Sequence, residues 1–288
     1  MKIAISYLSR FPLGMSSLQN NESMRKEGRN MLWSDMKKRL HKGPLFGCFV
    51  TFPSPGLTEF TAQMGFDFTC IDNEHGSMDY MVLENMIRGS QCAGIPSIIR
   101  TPVNRPEYIQ KALDSGANGI QIPMVNTLDE VKDAVNAALY PPLGKRGFDF
   151  LPRACNYSLY PNKMEYLEKA NEELMVILQI ETVEAVNNLA QFLTIEGVDV
   201  FFIGPFDLAV SMGYAENPRH PEVLQMIEQS IRMIKESGKI AGVYVSDVEQ
   251  TKQAVQWGAN YIVTDLTLAM TQWAEQYLQS VKEIEILK

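Results

Sequence analysis

The chain has 288 residues, of which 45% are hydrophobic and 21% charged, and its formal net charge is −8. This size and composition suit one large globular domain or two small ones. The negative charge argues against nucleic acid or an anionic membrane as a main partner, because both would repel the average surface, and it favours a small metabolite.

The cysteine content and the lack of long apolar runs bear on the compartment. The chain has four cysteines without any Cys-x-x-Cys spacing, namely Cys48, Cys70, Cys92 and Cys155. They are too few for a disulfide scaffold and poorly spaced for structural zinc, so we expect a cytoplasmic protein. No apolar run approaches the roughly 20 residues of a membrane-spanning helix, and no signal peptide is predicted.

The N-terminal region precedes any regular pattern. Residues 1–29 are polar and lack a sustained period, so we predict a polar extension without an assigned function. From Asn30 the pattern becomes helical, with Met36 and Leu40 on its apolar side. This pattern predicts a leading helix that closes the bottom of a barrel, and residues 30–288 are expected to form one domain.

Apolar runs of strand length then alternate with stretches of helical period. The predicted strands are 45–52, 68–72, 97–100, 119–122, 175–180, 199–203, 240–245 and 261–263. The predicted helices are 57–64, 81–92, 106–115, 128–139, 183–192, 221–236, 248–257 and the stretch from 266 onward. Eight strands, each followed by a helix and joined by right-handed crossovers, predict a closed (β/α)8 or TIM barrel. An open doubly wound sheet is the alternative.

Four helix-to-strand joints repeat one pattern in which glycine follows the helix. These glycines are Gly65, Gly116, Gly197 and Gly258. A helix C-terminus often needs a left-handed residue there, so the recurrence indicates one repeating unit.

One segment, between Tyr140 and Leu174, breaks the alternation and contains a short predicted helix over residues 164–171. An excursion of this length usually serves a site or an interface. We expect it to leave the top of strand four, on the same rim as Glu181. Residues 148–153 would then bring aromatic side chains, an acid and a base, Arg153, into the mouth.

Two predicted strands lead into a carboxylate. Glu181 follows Leu178-Gln179-Ile180, and Asp207 closes a strand that is expected to run out through Phe202-Ile203-Gly204-Pro205-Phe206. The carboxyl ends of neighbouring parallel strands converge on one site, so these acids are candidate ligands for a hard divalent cation. Alternatively both acids cap the helices that follow, which suits Asp207 better than Glu181 because N-caps favour Asp.

Other polar side chains occur at the predicted strand ends: Asp72, Glu74, His75, Arg100, Gln121, Gln179 and Asp265. His75 can act as a general base near neutral pH if a carboxylate orients it, although a lone loop histidine is often inert. Arg100 closes an apolar strand and needs an anion, for which a substrate carboxylate and a structural Asp are both suitable. Lysine is missing from these ends, so a Schiff-base mechanism has no obvious nucleophile.

Five ordered motifs within residues 32–270 resemble the HpcH/HpaI family of metal-dependent class II pyruvate aldolases. They are Asp72-Asn73-Glu74-His75, Ile98-Ile99-Arg100-Thr101-Pro102, Pro141-Pro142 with Arg146-Gly147, Gln179-Ile180-Glu181-Thr182 and Gly204-Pro205-Phe206-Asp207-Leu208. The resemblance implies a barrel of the phosphoenolpyruvate/pyruvate-domain type. It also implies a lyase that cleaves or forms 4-hydroxy-2-oxo acids, giving pyruvate and an aldehyde through a metal-stabilised enolate.

The resemblance assigns roles to individual residues. Glu181 and Asp207 would bind the metal, which is Mg²⁺ with Mn²⁺ or Co²⁺ as alternatives. The 2-oxo acid would be held by Arg100, Gln179, Gly204, Pro205 and Phe206. His75 would be the base, with Asp72 and Asp114 as its acidic partners, Asp114 coming from a neighbouring subunit.

The resemblance further implies a homo-oligomer, a hexamer or a trimer of dimers. The C-terminal helix, with Trp273 and Tyr277 at helical spacing, is expected to pack on another subunit or on its own barrel. Related barrels leave two alternatives open: an oxaloacetate-dependent condensing enzyme, citrate-forming or decarboxylating, and a catalytically silent barrel that binds 2-oxo acids.

Overall fold

Eight parallel strands close into a barrel in chain order. The computed structural model describes residues 35–286. The strands are β1 (Leu45–Val50), β2 (Phe68–Asp72), β3 (Ser97–Arg100), β4 (Gly119–Ile122), β5 (Met175–Ile180), β6 (Val200–Ile203), β7 (Ile240–Tyr244) and β8 (Tyr261–Asp265). The predicted (β/α)8 barrel is confirmed, and an open sheet is excluded because β8 pairs with β1, Tyr261 lying opposite Leu45.

Helices surround the barrel. They are α1 (Asp35–Lys42), α2 (Pro55–Gln63), α3 (Tyr80–Cys92), α4 (Pro106–Asp114), α5 (Leu128–Ala138), α6 (Lys163–Glu173), α7 (Val183–Phe192), α8 (Pro205–Ser211), α9 (Pro221–Glu236), α10 (Val248–Trp257) and α11 (Leu266–Ile286). Across residues 35–286 none of them combines the length and apolar character needed to cross a membrane. The predicted extension over residues 1–29, and the predicted helix start at Asn30, lie outside the described residues.

Side chains alternate between the inside of the barrel and the helix layer, as they must along a strand. On β5, for example, Met175 and Ile177 belong to the inner apolar cluster, whereas Val176 and Leu178 belong to the outer one. The same alternation directs Gln179 inward.

The leading helix α1 contributes to the inner cluster from one end. Met36 and Leu40 are buried against it. The Asn260 amide just before β8 donates to the Leu40 carbonyl at 2.6 Å. Helix α1 therefore closes the end of the barrel where the strands begin, as the sequence predicts.

The four repeated joint glycines adopt left-handed backbone conformations. Gly65, Gly116, Gly197 and Gly258 have φ values of 101°, 93°, 88° and 110°. Another glycine, Gly47, serves packing, because a Cβ there would lie 2.1 Å from the Phe68 ring.

The predicted position of the segment 140–174 is wrong. The segment follows α5 and not β4, so it emerges where the strands begin, opposite the predicted rim. Within it, Arg146 pairs with Asp114 at 2.7 Å, and Arg153 donates to the Ser115 carbonyl at 3.1 Å, both at the C-terminal end of α4. Residues 148–153 therefore do not enter the mouth of their own barrel.

Two predicted strand ends also need correction. Strand β6 stops at Ile203 and does not run out to Asp207, because Pro205 begins the short helix α8. Proline lacks an N–H for the sheet, and its fixed φ suits the first helical turn. Strand β1 stops at Val50, and Ser54 caps α2 just before Pro55.

Candidate active site

An ion pair joins the ends of β2 and β3. Asp72 and Arg100 lie opposite each other in the strand register. The guanidinium donates twice to the carboxylate, from Nε to Oδ1 at 2.8 Å and from Nη2 to Oδ2 at 2.7 Å. Burial acts to raise the pKa of Asp72, but Arg100 and two backbone N–H groups hold that pKa below its usual value. The pair therefore fixes a charged guanidinium inside the mouth.

The loop after β2 wraps around the same carboxylate. The backbone N–H groups of Glu74 and His75 donate to Asp72 Oδ1 at 3.1 and 3.3 Å. Gly76 allows this tight path, since a Cβ there would lie 2.2 Å from the Asp72 carbonyl oxygen. The His75 imidazole points to solvent, 68% exposed, and its Nε2 lies 3.9 Å from Glu74 Oε2.

Glu74 is a second acid beside Arg100. Its Oε2 lies 3.3 Å from Arg100 Nε. Burial raises the pKa of Glu74 to about 7; Arg100 opposes the rise, while the charges of Asp72 and Asp207 add to it. Glu74 and Asp207 are therefore electrostatically coupled.

Glu181 follows β5 and is buried, with 3% of its surface exposed. Its Oε1 accepts the Met124 backbone N–H at 2.7 Å, and its Oε2 accepts the Gln179 amide at 2.6 Å. Burial raises the pKa of Glu181 to about 7; these two donors oppose the rise, and the charges of Asp207 and Glu74 contribute to it.

Asp207 reaches the same region from the first turn of α8. The turn approaches closely, because a Cβ on Gly204 would lie 2.9 Å from Glu181 Oε2. Neither acid is an N-cap residue: Gly204 occupies that position for α8, and the Thr182 side chain caps α7. The capping alternative is therefore excluded for both acids.

The mouth carries more negative than positive charge. Asp72, Glu74, Glu181 and Asp207 lie there with Arg100. No lysine or arginine within residues 35–286 pairs with Glu181 or Asp207. Over the same residues, no set of three or more His, Cys, Asp or Glu side chains could chelate an ion alone. Two carboxylates plus outside oxygens nevertheless suit a hard dication such as Mg²⁺, which commonly uses one or two protein carboxylates.

Aromatic side chains form the other wall of the mouth. The Arg100 guanidinium lies 4.6 Å from the centre of the Phe49 ring, a cation–π distance. Tyr244 lies 6.4 Å from Phe49 and 5.5 Å from the half-exposed Phe206, measured between ring centroids. A charged side and an apolar side therefore face one opening.

Most of the chain matches a known protein family. Residues 45–270 match the model of the family described as HpcH/HpaI aldolase/citrate lyase. The chain belongs to this family. The predicted family and the predicted class of enzyme, a carbon–carbon lyase of the aldolase type, are thereby confirmed.

Two curated relatives of this HpcH/HpaI member come from Escherichia coli. A 4-hydroxy-2-oxo-heptane-1,7-dioate aldolase of the Crooks strain is 37% identical over 236 residues, 82% of this chain and 89% of the relative. A 2-keto-3-deoxy-L-rhamnonate aldolase of strain UMN026 is 33% identical over 255 residues, 88% of this chain and 94% of the relative.

A solved structure shares the barrel. It is a HpcH/HpaI aldolase/citrate lyase family protein of Burkholderia cenocepacia J2315, with a TM-score of 0.81 and 29% identity. The match covers 86% of this chain and 99% of the other.

In this HpcH/HpaI member the mouth brings together most of the predicted site residues. Asp72, His75, Arg100, Gln179, Gly204, Pro205, Phe206, Glu181 and Asp207 all lie there. Asp72 contacts the backbone N–H of His75 and not its imidazole, so its direct ionic partner is Arg100. The individual catalytic roles remain predictions.

Asp114 does not reach the mouth of its own chain. It ends α4, near the end of the barrel where the strands begin, and it pairs with Arg146. Its expected contribution to a neighbouring subunit's histidine remains a prediction.

Three features of the site have no predicted role. The sequence shows that Glu74 follows a strand at the rim. The effect of its charge on the pKa of Glu181, and that of Asp207 on its own pKa, depend on distances that only the fold fixes. The Met124 N–H that binds Glu181 is directed by a left-handed backbone, φ 53°. Gln121 donates to Gln179 from inside the barrel. Strand alternation directs Gln121 inward, but a partner on β5 is visible only in the fold.

Proposed function

We propose that this chain is a divalent-metal-dependent aldolase that cleaves, or forms, 4-hydroxy-2-oxo acids, giving pyruvate and an aldehyde. One observation carries the proposal: Glu181 is buried at the mouth without a lysine or arginine partner among the described residues, and the charges of Asp207 and Glu74 act on it. Ionising these acids together away from water costs free energy, and a bound cation would offset that cost. The names of the two bacterial aldolases support the reaction class.

Glu181 and Asp207 are the proposed metal ligands, with Mg²⁺ as the first choice and Mn²⁺ or Co²⁺ as alternatives. Carboxylate oxygens suit all three ions, and the other coordination positions remain for substrate and water oxygens. When bound, the cation would act as a Lewis acid that stabilises negative charge on the 2-oxo group.

Arg100 is proposed to bind the 2-oxo acid. Asp72 holds Nε and Nη2 of the guanidinium, so the side chain is oriented before substrate arrives. A fixed cation beside a developing negative charge lowers the barrier without reorganisation. Gln179 and Gly204 border Glu181, and Pro205 and Phe206 follow Gly204; these four residues complete the proposed pocket, where a Cβ on Gly204 would crowd Glu181 Oε2.

His75 is proposed to move the proton at the C4 hydroxyl of the substrate. Its imidazole is at the open side of the mouth, where the aldehyde half would lie, and Glu74 is the nearest carboxylate. An imidazole can both take up and return a proton near neutral pH. Phe206 and Tyr244 offer apolar contact to the same half of the substrate.

We also propose a cytoplasmic homo-oligomer, a hexamer or trimer of dimers, in which Asp114 approaches a neighbouring mouth. The four free cysteines support a reducing compartment. At the end of α4, 21% of the Asp114 side chain stays exposed and open to a second copy, whereas its partner Arg146 is buried.

The direct test is a cleavage assay on 4-hydroxy-2-oxoheptanedioate that measures pyruvate release. Protein stripped with EDTA should be inactive, and Mg²⁺, Mn²⁺ or Co²⁺ should restore turnover. Glu181→Gln should lower the restored rate by on the order of 100-fold or more, because it removes charge where the cation binds. Glu184→Gln makes the same change at an exposed position and should leave the rate unaltered.

The same assay separates the alternatives. Full activity in stripped protein would contradict metal dependence. Turnover of oxaloacetate, with citrate or a decarboxylated product and no cleavage of hydroxy-oxo acids, would favour a condensing enzyme. Pyruvate binding without turnover, unaltered in His75→Ala, would favour a catalytically silent barrel.

A further inference from the structure

A row of hydrogen bonds crosses the inside of the barrel beneath the mouth. The Tyr261 hydroxyl on β8 lies 3.2 Å from Gln121 Oε1 on β4. Gln121 Nε2 donates to Gln179 Oε1 on β5 at 2.7 Å, and Gln179 Nε2 donates to Glu181 Oε2 at 2.6 Å. The exposed fractions are 0% for Tyr261 and Gln121, 2% for Gln179 and 3% for Glu181, so water does not compete along the row.

The carboxylate end sets the direction of every bond in this row. Gln179 Nε2 donates to Glu181 Oε2, and this orientation suits the carboxylate that would bind a cation, because a carboxylate can only accept. The Gln179 carbonyl then faces Gln121 and requires a donor, which is the Gln121 amino group. The Gln121 carbonyl must in turn face a donor, and the Tyr261 hydroxyl supplies one.

A second donor lies at the same end. Cys70 Sγ on β2 is 3.8 Å from Gln121 Oε1, a weak thiol contact. Both donors converge on one carbonyl oxygen, which has two lone pairs. The Gln121 amide therefore has hydroxyl and thiol groups on its oxygen side and a carbonyl acceptor on its nitrogen side.

Contacts with neighbouring aromatic rings hold the Tyr261 ring in place independently of its hydroxyl. It stacks on Phe68 with centroids 4.6 Å apart and meets Phe202 edge-on at 5.9 Å. Replacing Tyr261 by Phe therefore removes the donor and keeps the packing. The buried Gln121 carbonyl would lose its stronger partner, and the amide would be free to turn over.

We propose that Tyr261, Cys70 and Gln121 are positioning residues that orient Gln179 and, through it, Glu181 for the divalent cation. A reversed Gln121 would present its carbonyl to the Gln179 carbonyl, and the two acceptors would repel. Gln179 would then turn its own oxygen toward Glu181, which weakens the geometry of the carboxylate. This inference rests on the proposed function, because it concerns the metal affinity of the same site.

The test is a calorimetric titration of full-length protein with Mn²⁺, without substrate. Tyr261→Phe should weaken Mn²⁺ binding, and the double variant with Cys70→Ala should weaken it by on the order of tenfold, as expected for groups that orient a metal ligand. Gln121→Met removes the donor to Gln179 and should give a similar loss. It serves as an independent variant if Tyr261→Phe does not fold.

Thr69→Val is the matched control. It removes a buried hydroxyl on β2 that lies 2.7 Å from the Ser90 hydroxyl, away from the row. Its melting temperature should fall about as much as that of Tyr261→Phe, but its Mn²⁺ affinity should equal that of the unaltered protein.

Two results would overturn the inference in different ways. If Tyr261→Phe and Gln121→Met lose thermal stability but bind Mn²⁺ as the unaltered protein does, the row is only structural. If the unaltered protein binds no Mn²⁺, the proposed function fails and the inference fails with it.

Discussion

At the scale of single residues, the charges of the mouth are held by neighbours rather than by solvent. Arg100 has two candidate anions from sequence, a substrate carboxylate and a structural Asp, and the structure shows Asp72 in the second role. This contact does not exclude the first role, since it uses one edge of the guanidinium and prepares the group for an incoming anion.

Glu181 makes stability depend on pH. Its pKa of about 7 in the folded protein lies above the ordinary value of 4.5 because burial and neighbouring acids disfavour the charge. The folded form therefore keeps a proton that the unfolded form has released. The resulting stabilisation is complete below about pH 4.5 and is lost as the pH rises through about 7.

We therefore expect metal-free protein to lose stability between pH 5.5 and pH 8. Ionisation of Glu181 should lower the free energy of unfolding by on the order of 1–3 kcal/mol over this range. The Glu181→Gln variant should not show this contribution. Urea denaturation in EDTA at both pH values measures the difference, with Glu184→Gln as control. An equal loss in Glu181→Gln and in the unaltered protein would show that Glu181 does not keep the proton.

At the scale of elements, the end of β6 shows how a proline changes the position of a site residue. A strand running to Asp207 would place that acid at the sheet edge, whereas Pro205 starts α8 and places it in a helical turn beside Glu181. The proline is visible in sequence and favours this outcome. The close approach of Gly204 to Glu181 is not visible, because it joins two strands.

Helix α11 carries exposed apolar side chains that its own barrel leaves uncovered. Trp273, Tyr277 and Leu278 are 66%, 56% and 55% exposed, and the Trp273 and Tyr277 rings stack 5.4 Å apart. Packing on its own barrel, the alternative from sequence, does not occur for these side chains. An exposed aromatic patch of this kind is typical of a subunit interface.

We expect α11 to contact a second copy of the chain. Sedimentation velocity at micromolar concentration should give a mass several times that of one chain. The double variant Trp273→Ser with Tyr277→Ser should lower it, because the interface loses its two aromatic side chains. Gln276→Ser, on the same exposed stretch, should not. A monomeric unaltered protein would contradict this expectation.

At the scale of the whole molecule, the barrel is predictable because its signals are local and repeated. Strand alternation, helical period and the joint glycines each recur along the chain. An error in the bounds of one element therefore leaves the predicted number of strands and helices unchanged. The inward direction of Gln121, Gln179 and Glu181 follows from the same alternation.

The segment 140–174, whose predicted position is wrong, shows which information these local signals do not contain. Its length indicates importance, but not the end of the barrel at which it emerges. The end follows from whether it succeeds a strand or a helix, and here it succeeds α5. The partners of Asp114 and Glu74 were unpredictable for a related reason, because each contact joins residues from different β/α units.

The proposed activity depends on a cation shared by Glu181 and Asp207. Diffraction from a crystal grown with Mn²⁺ and pyruvate, recorded at the manganese edge, tests this most directly. We expect one anomalous peak in the mouth within bonding distance of both carboxylates, with pyruvate oxygens beside it. A peak elsewhere, or pyruvate bound by Arg100 with no metal between the two acids, would contradict it.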